Sequence, residues 1–221
     1  MSREAILRRI RNALGEPPRN PRSRETTPPA PASLMSTGAA SVARFIAEAE
    51  AKGVTLLTVR EPRHIPGAVA RYLTGLGGPA PRVRIADLGW PDVPWADAGI
   101  EIATGAAAPD DIVGISRGLA GIAETGTVLL VSSPGNPTTL AFLPEVHIVV
   151  LEQAAVAGTF EEATAILRAT FSPGTLPRSV NLISGASRTG DIGGRIVHGA
   201  HGPRRLAVIL VENKQGAMEA P

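Results

Sequence analysis

Short apolar runs alternate with amphipathic segments along most of the chain, and this alternation predicts the secondary structure. Apolar runs bounded by glycine, proline or polar clusters are typical of buried strands. They lie at 54–59, 82–85, 100–103, 127–131, 146–151, 180–184 and 206–211. Apolar residues three or four positions apart predict helices at 36–53, 62–76 and 159–170. This order favours an α/β fold with a mostly parallel, Rossmann-like sheet that has helices on both faces. We expect 180–184 to be a central strand and 206–211 to close the sheet.

The first 35 residues differ from the rest of the chain. An apolar stripe of Ile6, Leu7, Ile10 and Leu14 predicts an amphipathic helix, and six prolines between positions 17 and 31 predict an extended linker. Residues 1–24 carry seven arginines and two glutamates, whereas the net charge of the whole chain is only +2. We expect three parts: a helix and Pro/Arg-rich linker (1–35), an α/β domain (36–213) and a tail (214–221). The basic arm indicates docking to a partner, for which nucleic acid is the less favoured candidate.

Composition excludes several kinds of chemistry. The 221 residues are 43% hydrophobic but only 3% aromatic, so aliphatic side chains must build the core. There is no cysteine, which excludes disulfides, cysteine-ligated zinc, iron–sulfur clusters and cysteine nucleophiles from this chain. No apolar run reaches the length of a membrane span, and we expect a cytoplasmic protein without a membrane partner.

Polar groups that can bind an anion are concentrated in the stretch Ser184–Ile192, directly after a predicted strand. Its small residues permit a tight turn whose backbone N–H groups face an anion. Ser187 and Thr189 can donate hydrogen bonds, Arg188 can hold a carboxylate through two parallel bonds, and Asp191 can orient the arginine or act as a base. Ligands of such sheets bind beyond the carboxyl ends of the strands, where both this stretch and the 132–137 turn are expected. The same residues also fit a strand-to-helix connection capped by Ser or Thr.

Glu124 is an isolated carboxylate in a glycine-rich approach to a buried strand, flanked by Thr125, Gly126 and Thr127. A partly buried carboxylate can serve as a base or a nucleophile. It can equally accept backbone N–H bonds in a turn, and the sequence leaves both roles open.

Two further patterns carry less weight. Residues 114–118 match the G-x-S-x-G pattern of hydrolase nucleophiles, but no long apolar run precedes Ser116. His198 and His201 are spaced as a metal-binding pair outside a clear helix, and we predict no metal site there.

Several of these stretches together resemble the LUD domain of lactate utilisation protein C. They are Gly121–Thr127, Ser184–Ile192, the turn His201-Gly202-Pro203 before the last strand, and the segment 143–148. The resemblance spans roughly residues 40–212. Gly193 departs from it, because that family usually has a polar residue at this position.

The resemblance implies a fold similar to the NagB/RpiA/CoA-transferase group and a role in oxidising L-lactate to pyruvate. It implies an accessory subunit without redox cofactors that acts beside iron–sulfur partner subunits and binds a small carboxylate or an anionic cofactor. The implied ligand-binding residues are Thr125, Gly126, Thr127, Ser187, Arg188, Thr189, Asp191 and His201. The alternative is a free-standing acyl- or CoA-transferase-like enzyme with Glu124 as its nucleophile.

Overall fold

The computed structural model describes residues 2–14, 38–77, 82–172, 174–192 and 195–212. The chain divides into two compact units, residues 1–30 and 31–221. The first contains the predicted amphipathic helix, α1 (Arg3–Leu14), on which Ile6, Leu7 and Ile10 are exposed. The linker and both predicted part boundaries lie outside the described residues. Among the described helices, none combines the length and apolar composition that crossing a membrane requires.

The second unit is an α/β domain. Its helices are α2 (Ala39–Glu50), α3 (Ile65–Gly75) and α4 (Phe160–Thr170). Its strands are β1 (Thr55–Val59), β2 (Val83–Ile85), β3 (Ile102–Thr104), β4 (Val113–Arg117), β5 (Ala120–Ile122), β6 (Thr127–Val131), β7 (Val146–Glu152), β8 (Val156–Ala157), β9 (Val180–Ile183), β10 (Arg188–Ile192), β11 (Arg195–His198) and β12 (Arg205–Val211). The three predicted helices of this unit are confirmed, with ends within a few residues of those expected.

Six parallel strands form the main sheet in the order β1-β12-β7-β4-β2-β3. Successive residues of β7 enter opposite apolar layers, because side chains alternate across a strand. Ile148 and Val150 pack in the layer that contains the apolar face of α3, whereas Val149 and Leu151 pack in the layer that contains Phe45 of α2. The predicted mostly parallel sheet with helices on both faces is therefore confirmed.

A second sheet of four strands, in the order β8-β5-β6-β9, packs on the α2 side of the main sheet. Val128 and Leu130 of β6 enter the layer of Phe45, and Leu129 faces α4 on the other side. β5 and β6 form an antiparallel hairpin, and β9 is the edge strand beside β6. A separate hairpin, β10–β11, follows β9.

Three strand expectations need correction. The predicted connection at 111–115 contains β4, which lies between β7 and β2 in the main sheet. The strand was not predicted because Gly114 and Ser116 interrupt its apolar pattern. The expected central strand 180–184 is instead β9, an edge strand of the second sheet that pairs antiparallel with β6. β12 does not close the main sheet but lies between β1 and β7, which explains why its residues are almost all buried.

Helix α4 begins with a capping box. The Thr159 hydroxyl accepts a bond from the Glu162 backbone N–H at 3.3 Å, and the Glu162 carboxylate accepts one from the Thr159 backbone N–H at 3.3 Å. This satisfies N–H groups that the first helical turn leaves unpaired. Helix α4 thereby starts where its apolar face covers β5 and β6.

Gly126, in the turn of the β5–β6 hairpin, packs against the backbone of α2. Its φ is +56°, and a Cβ there would lie 2.6 Å from the carbonyl carbon of Glu48. The obstacle is helix backbone rather than a movable side chain. Glycine is therefore required at this position for both its conformation and its size.

Replacing Gly126 by alanine tests this contact. We expect Gly126→Ala to lower the free energy of unfolding by about 1–2 kcal/mol because of the left-handed conformation. Displacement of α2 should lower it by about 1–3 kcal/mol more. Gly99→Ala is the matched control, because Gly99 has a φ of +66° with nothing within 4 Å of a Cβ. Urea unfolding of both variants measures the difference, and equal losses would show that the contact with α2 is unimportant.

Candidate functional site

Segments far apart in the sequence meet at one cleft of about 220 Å³. We call it the histidine cleft. It is bounded by the 184–187 loop after β9, the turn His201-Gly202-Pro203 before β12, and His147 of β7. Phe142, Leu182 and Leu206 give it a largely apolar wall. A mostly apolar cleft with a few converging polar groups is the usual form of a small-molecule site.

The histidine cleft lies at the amino ends of the parallel strands. His147 and Leu206 pair with each other, each one residue inside the beginning of β7 and β12. The expectation that the 184–192 stretch leaves the carboxyl edge of the parallel sheet is therefore wrong. The stretch does follow the carboxyl end of a strand, but β9 belongs to the second sheet.

Two backbone hydrogen bonds join the borders of the cleft. The Ser187 N–H donates to the Pro203 carbonyl at 2.9 Å, and the Gly199 N–H donates to the Ser187 carbonyl at 2.9 Å. Ser187 is thus fixed between the turn before β12 and the end of β11. Ser187 and His201 are the two sequence-predicted site residues that line this cleft.

His147 is a site residue that the sequence analysis missed. Its side chain is fully buried, Nε2 lies 3.0 Å from the Ser116 hydroxyl, and Nδ1 has no hydrogen-bond partner among the described residues. Burial lowers the pKa of His147 to about 3, so the ring is neutral near pH 7. The available signal was a titratable ring inside an otherwise apolar strand that is buried on both faces.

Ser116 belongs to β4 and not to a turn. The sequence predicts no nucleophile elbow because no long apolar run precedes Ser116, and only three residues of β4 do precede it. A nucleophile elbow places its serine on an exposed turn after a strand, whereas Ser116 is inside β4 and only 2% exposed. The group that orients the histidine of a catalytic triad through Nδ1 is also missing among the described neighbours of His147.

Arg188 holds its own loop to the end of α2. Its Nη2 donates to the Lys52 carbonyl at 3.3 Å, and its guanidinium lies against Gly53. The Lys52 ammonium in turn donates to the carbonyl of Thr125. The residues just after α2 thus connect the two predicted motifs, although Arg188 is not among the described residues that line the histidine cleft.

Glu124 lies at the beginning of α4. Its Oε1 accepts a hydrogen bond from the Phe160 N–H at 2.8 Å, and its own N–H donates to the Gly158 carbonyl at 3.1 Å. A carboxylate at this position is favoured by the helix dipole. Thr125 and Thr127 bond to each other through their hydroxyls at 2.9 Å, and the structure does not bring these residues to the histidine cleft.

The rest of the predicted stretch forms a hairpin instead of a capped helix. Thr189 pairs with Val197 across β10 and β11. Asp191 lies on β10, and its side chain is outside the described part of the structure. The described residues contain no group of three or more potential metal ligands close together.

A second cleft of about 520 Å³ lies at the carboxyl ends of β2, β4 and β7. There Arg117 donates to Glu152 at 3.2 Å and its guanidinium lies 5.6 Å from the centre of the Trp90 ring. The side chain of Asn136 bonds to the N–H of Arg117 at 3.3 Å and to its carbonyl at 3.0 Å. The predicted turn 132–137 thus does reach the carboxyl edge of the sheet.

The fold and the converging motifs define an α/β protein with a small cleft between two sheets. Residues 103–211 match the family model of the LUD domain, which confirms the resemblance found in the sequence. This chain therefore contains a LUD domain. A crystal structure of a DUF162 family protein from Deinococcus radiodurans is similar, with a TM-score of 0.62, 26% identity, and coverage of 80% of this chain and 99% of that one.

Curated relatives match over a shorter region. An uncharacterised protein from Neisseria meningitidis is 38% identical over 98 residues, which is 44% of this chain and 41% of that protein. Lactate utilization protein C is 34% identical over 102 residues in Shouchella clausii (46% of this chain, 44% of that protein) and 34% over 103 residues in Bacillus subtilis (46% and 43%). The matching region thus spans less than half of the length of these relatives.

The buried ring of His147 predicts acid sensitivity. Between its folded pKa of about 3 and its ordinary value near 6.5, the unfolded chain binds a proton at this site that the native protein does not. Stability should therefore fall as the pH falls through this window, by up to about 1.4 kcal/mol per pH unit from His147 alone. In His147→Asn this contribution is absent. Urea unfolding between about pH 7 and pH 4 should show the two proteins converging in acid, and parallel curves would contradict the assignment.

The carboxylate of Glu124 predicts a structural role. Glu124→Gln keeps a carbonyl acceptor for Phe160 but loses the charge, so we expect the free energy of unfolding to fall by about 0.5–1 kcal/mol in urea unfolding. Glu161→Gln is the control, because it also removes a first-turn carboxylate but has no described side-chain bond to another segment. Equal stability of the Glu124 variant and the parent protein would contradict the structural role.

Proposed function

We propose that this protein acts in lactate utilisation as an accessory subunit without redox centres, and that its histidine cleft binds a small carboxylate. Relatives named lactate utilization protein C support the biological role. The LUD domain at 103–211 supports it in the same region of the chain. Because the matches span less than half of those relatives, assembly and substrate are part of the proposal.

One observation carries the ligand-binding part. The loop 184–187, the turn 201–203 and His147 all come from segments that carried the sequence resemblance, and they converge on a single cleft. Ser187 and His201 supply polar contacts, while Phe142 and Leu182 supply an apolar wall. This combination suits a molecule with a carboxylate at one end and a short hydrocarbon part at the other, as in lactate or pyruvate.

The remaining predicted residues have supporting roles in this proposal. Arg188 fixes the loop on α2 through the Lys52 carbonyl rather than holding the anion itself. Thr189 and Asp191 build the adjacent hairpin, and the segment Thr125–Thr127 contacts the same helix end. The transferase alternative with Glu124 is less favoured, because its carboxylate already accepts the Phe160 N–H.

The proposed partners come from the family resemblance, and the composition of this chain is consistent with them. With no cysteine, this chain has no thiolates to hold an iron–sulfur cluster. Oxidation of lactate removes two electrons, and the family resemblance implies that iron–sulfur partner subunits carry the redox centres of the proposed system. The protein would then bind the acid or stabilise the assembly.

Ligand binding by the purified full chain tests the cleft. We expect L-lactate or pyruvate to bind in isothermal titration, and His201→Ala and Ser187→Ala to weaken binding by about tenfold, because each removes a hydrogen bond to a charged group. His64→Ala is the matched control, since His64 is also an exposed histidine but lies before α3, outside the cleft. Binding unaffected by both cleft variants would place the ligand elsewhere.

Assembly is tested separately. The tagged full chain should co-purify from lactate-grown cells with proteins that show iron and acid-labile sulfide, and deletion of its gene should abolish growth on lactate. A deletion strain that grows normally on lactate would contradict the proposed role even if the cleft binds the acid.

A further inference from the structure

His147 has a buried polar atom that no described residue satisfies. Nearly all buried polar groups in native proteins have a hydrogen-bond partner, so an exception at the wall of a cleft needs an explanation. Nδ1 of His147 has none among the described residues, although the side chain is fully buried and borders the histidine cleft. We infer that His147 is the specificity-determining residue of the histidine cleft, where its Nδ1–H donates a hydrogen bond to a carboxylate or 2-oxo oxygen of a small organic acid. This inference rests on the proposed function of the cleft.

Counting donors determines which ring nitrogen carries the proton. The ring is neutral and has one N–H, and the only described hydrogen bond of the Ser116 side chain is the one to Nε2. If Nε2 carried the proton, the Ser116 hydroxyl proton and the Nδ1 lone pair would both be unpaired. If Ser116 donates to Nε2, the proton is on Nδ1 and one donor alone is unpaired. The second arrangement leaves fewer buried groups unsatisfied and is therefore favoured.

The position of Ser116 indicates where this donor points. Ser116 does not line the histidine cleft, whereas His147 does. The Nε2 edge of the ring is thus directed into the protein, toward β4. We infer that the part of the ring that carries Nδ1 faces the cleft, which His147 lines.

The surroundings determine what the donor accepts as a partner. The walls of the cleft include apolar Leu206 and Phe142, and a hydrogen bond in such surroundings is stronger than one in water. A neutral N–H there adds no charge of its own, and it pairs best with an anionic or strongly polar oxygen. The ligand class is therefore a short carboxylic acid. An amide or alcohol of the same size would lack the anionic acceptor.

Nitrogen NMR of the full chain labelled with ¹⁵N-histidine tests the assignment directly. In the free protein near pH 7, His147 should show a neutral ring with the proton on Nδ1. Saturating pyruvate should shift the Nδ1 and N–H resonances of His147 and move those of His64 far less. A proton on Nε2, or unchanged His147 resonances while titration calorimetry confirms binding, would overturn the inference but leave the cleft proposal standing.

Two substitutions of His147 distinguish a hydrogen-bond donor at Nδ1 from a donor at Nε2. The side-chain amide of Asn can place an N–H near the position of Nδ1, whereas that of Gln reaches toward the position of Nε2. We expect His147→Asn to bind pyruvate within a few-fold of the parent and His147→Gln to bind about tenfold more weakly, because the cleft then lacks its donor. Circular dichroism checks that both variants fold.

The outcomes are distinguishable. Equal binding by folded Gln and Asn variants would overturn the role of His147 alone. No binding of pyruvate or L-lactate by the parent protein would overturn the ligand-binding function together with this inference. If neither variant folds, the spectra of the unmodified protein still decide.

Discussion

Burial of β7 and β12 on both faces is the constraint on which the rest of the structure depends. Side chains of these strands alternate between the layer shared with α3 and the layer shared with α2 and the second sheet. Any polar group placed in them must find a partner inside the protein, because water cannot reach it. His147 occupies such a position, and within the described part of the chain only one of its two nitrogens has a partner, Ser116. The histidine cleft is thus lined by a buried side chain whose Nδ1 has no described partner.

The end of α2 is the second organising feature. Gly126 permits the β5–β6 hairpin to approach the backbone of Glu48 and Ala49, while the carbonyl of Lys52 accepts a bond from Arg188. The β5–β6 turn and the segment after β9 therefore share the end of α2. Their glycines and their arginine serve packing and loop placement in this structure. A motif rich in functional residue types can thus be needed mainly to hold a site in shape.

Much of the secondary structure could be predicted because apolar periodicity reports burial. The helices at α2, α3 and α4, and strands such as β7 and β12, were found from spacing alone. β4 was missed because Gly114 and Ser116 interrupt its apolar pattern, although a Cβ at Gly114 would lie 2.8 Å from Pro144 and Ser116 is paired with His147. The similarity to the NagB/RpiA/CoA-transferase group stays a prediction.

The sequence by itself determined the class of the fold, the LUD domain and the polar residues that the cleft can use, because these depend on local pattern and on residue type. Only the tertiary structure decided which of them meet. Ser187 and His201 line the same cleft as His147. Arg188 and Glu124 instead form hydrogen bonds with backbone groups at helix ends. Strand order is the reason for this difference. Strand β9 belongs to the second sheet, and the loop after it lies at the amino ends of β7 and β12. Such long-range pairing depends on how apolar faces fit together, which no short segment of the sequence specifies.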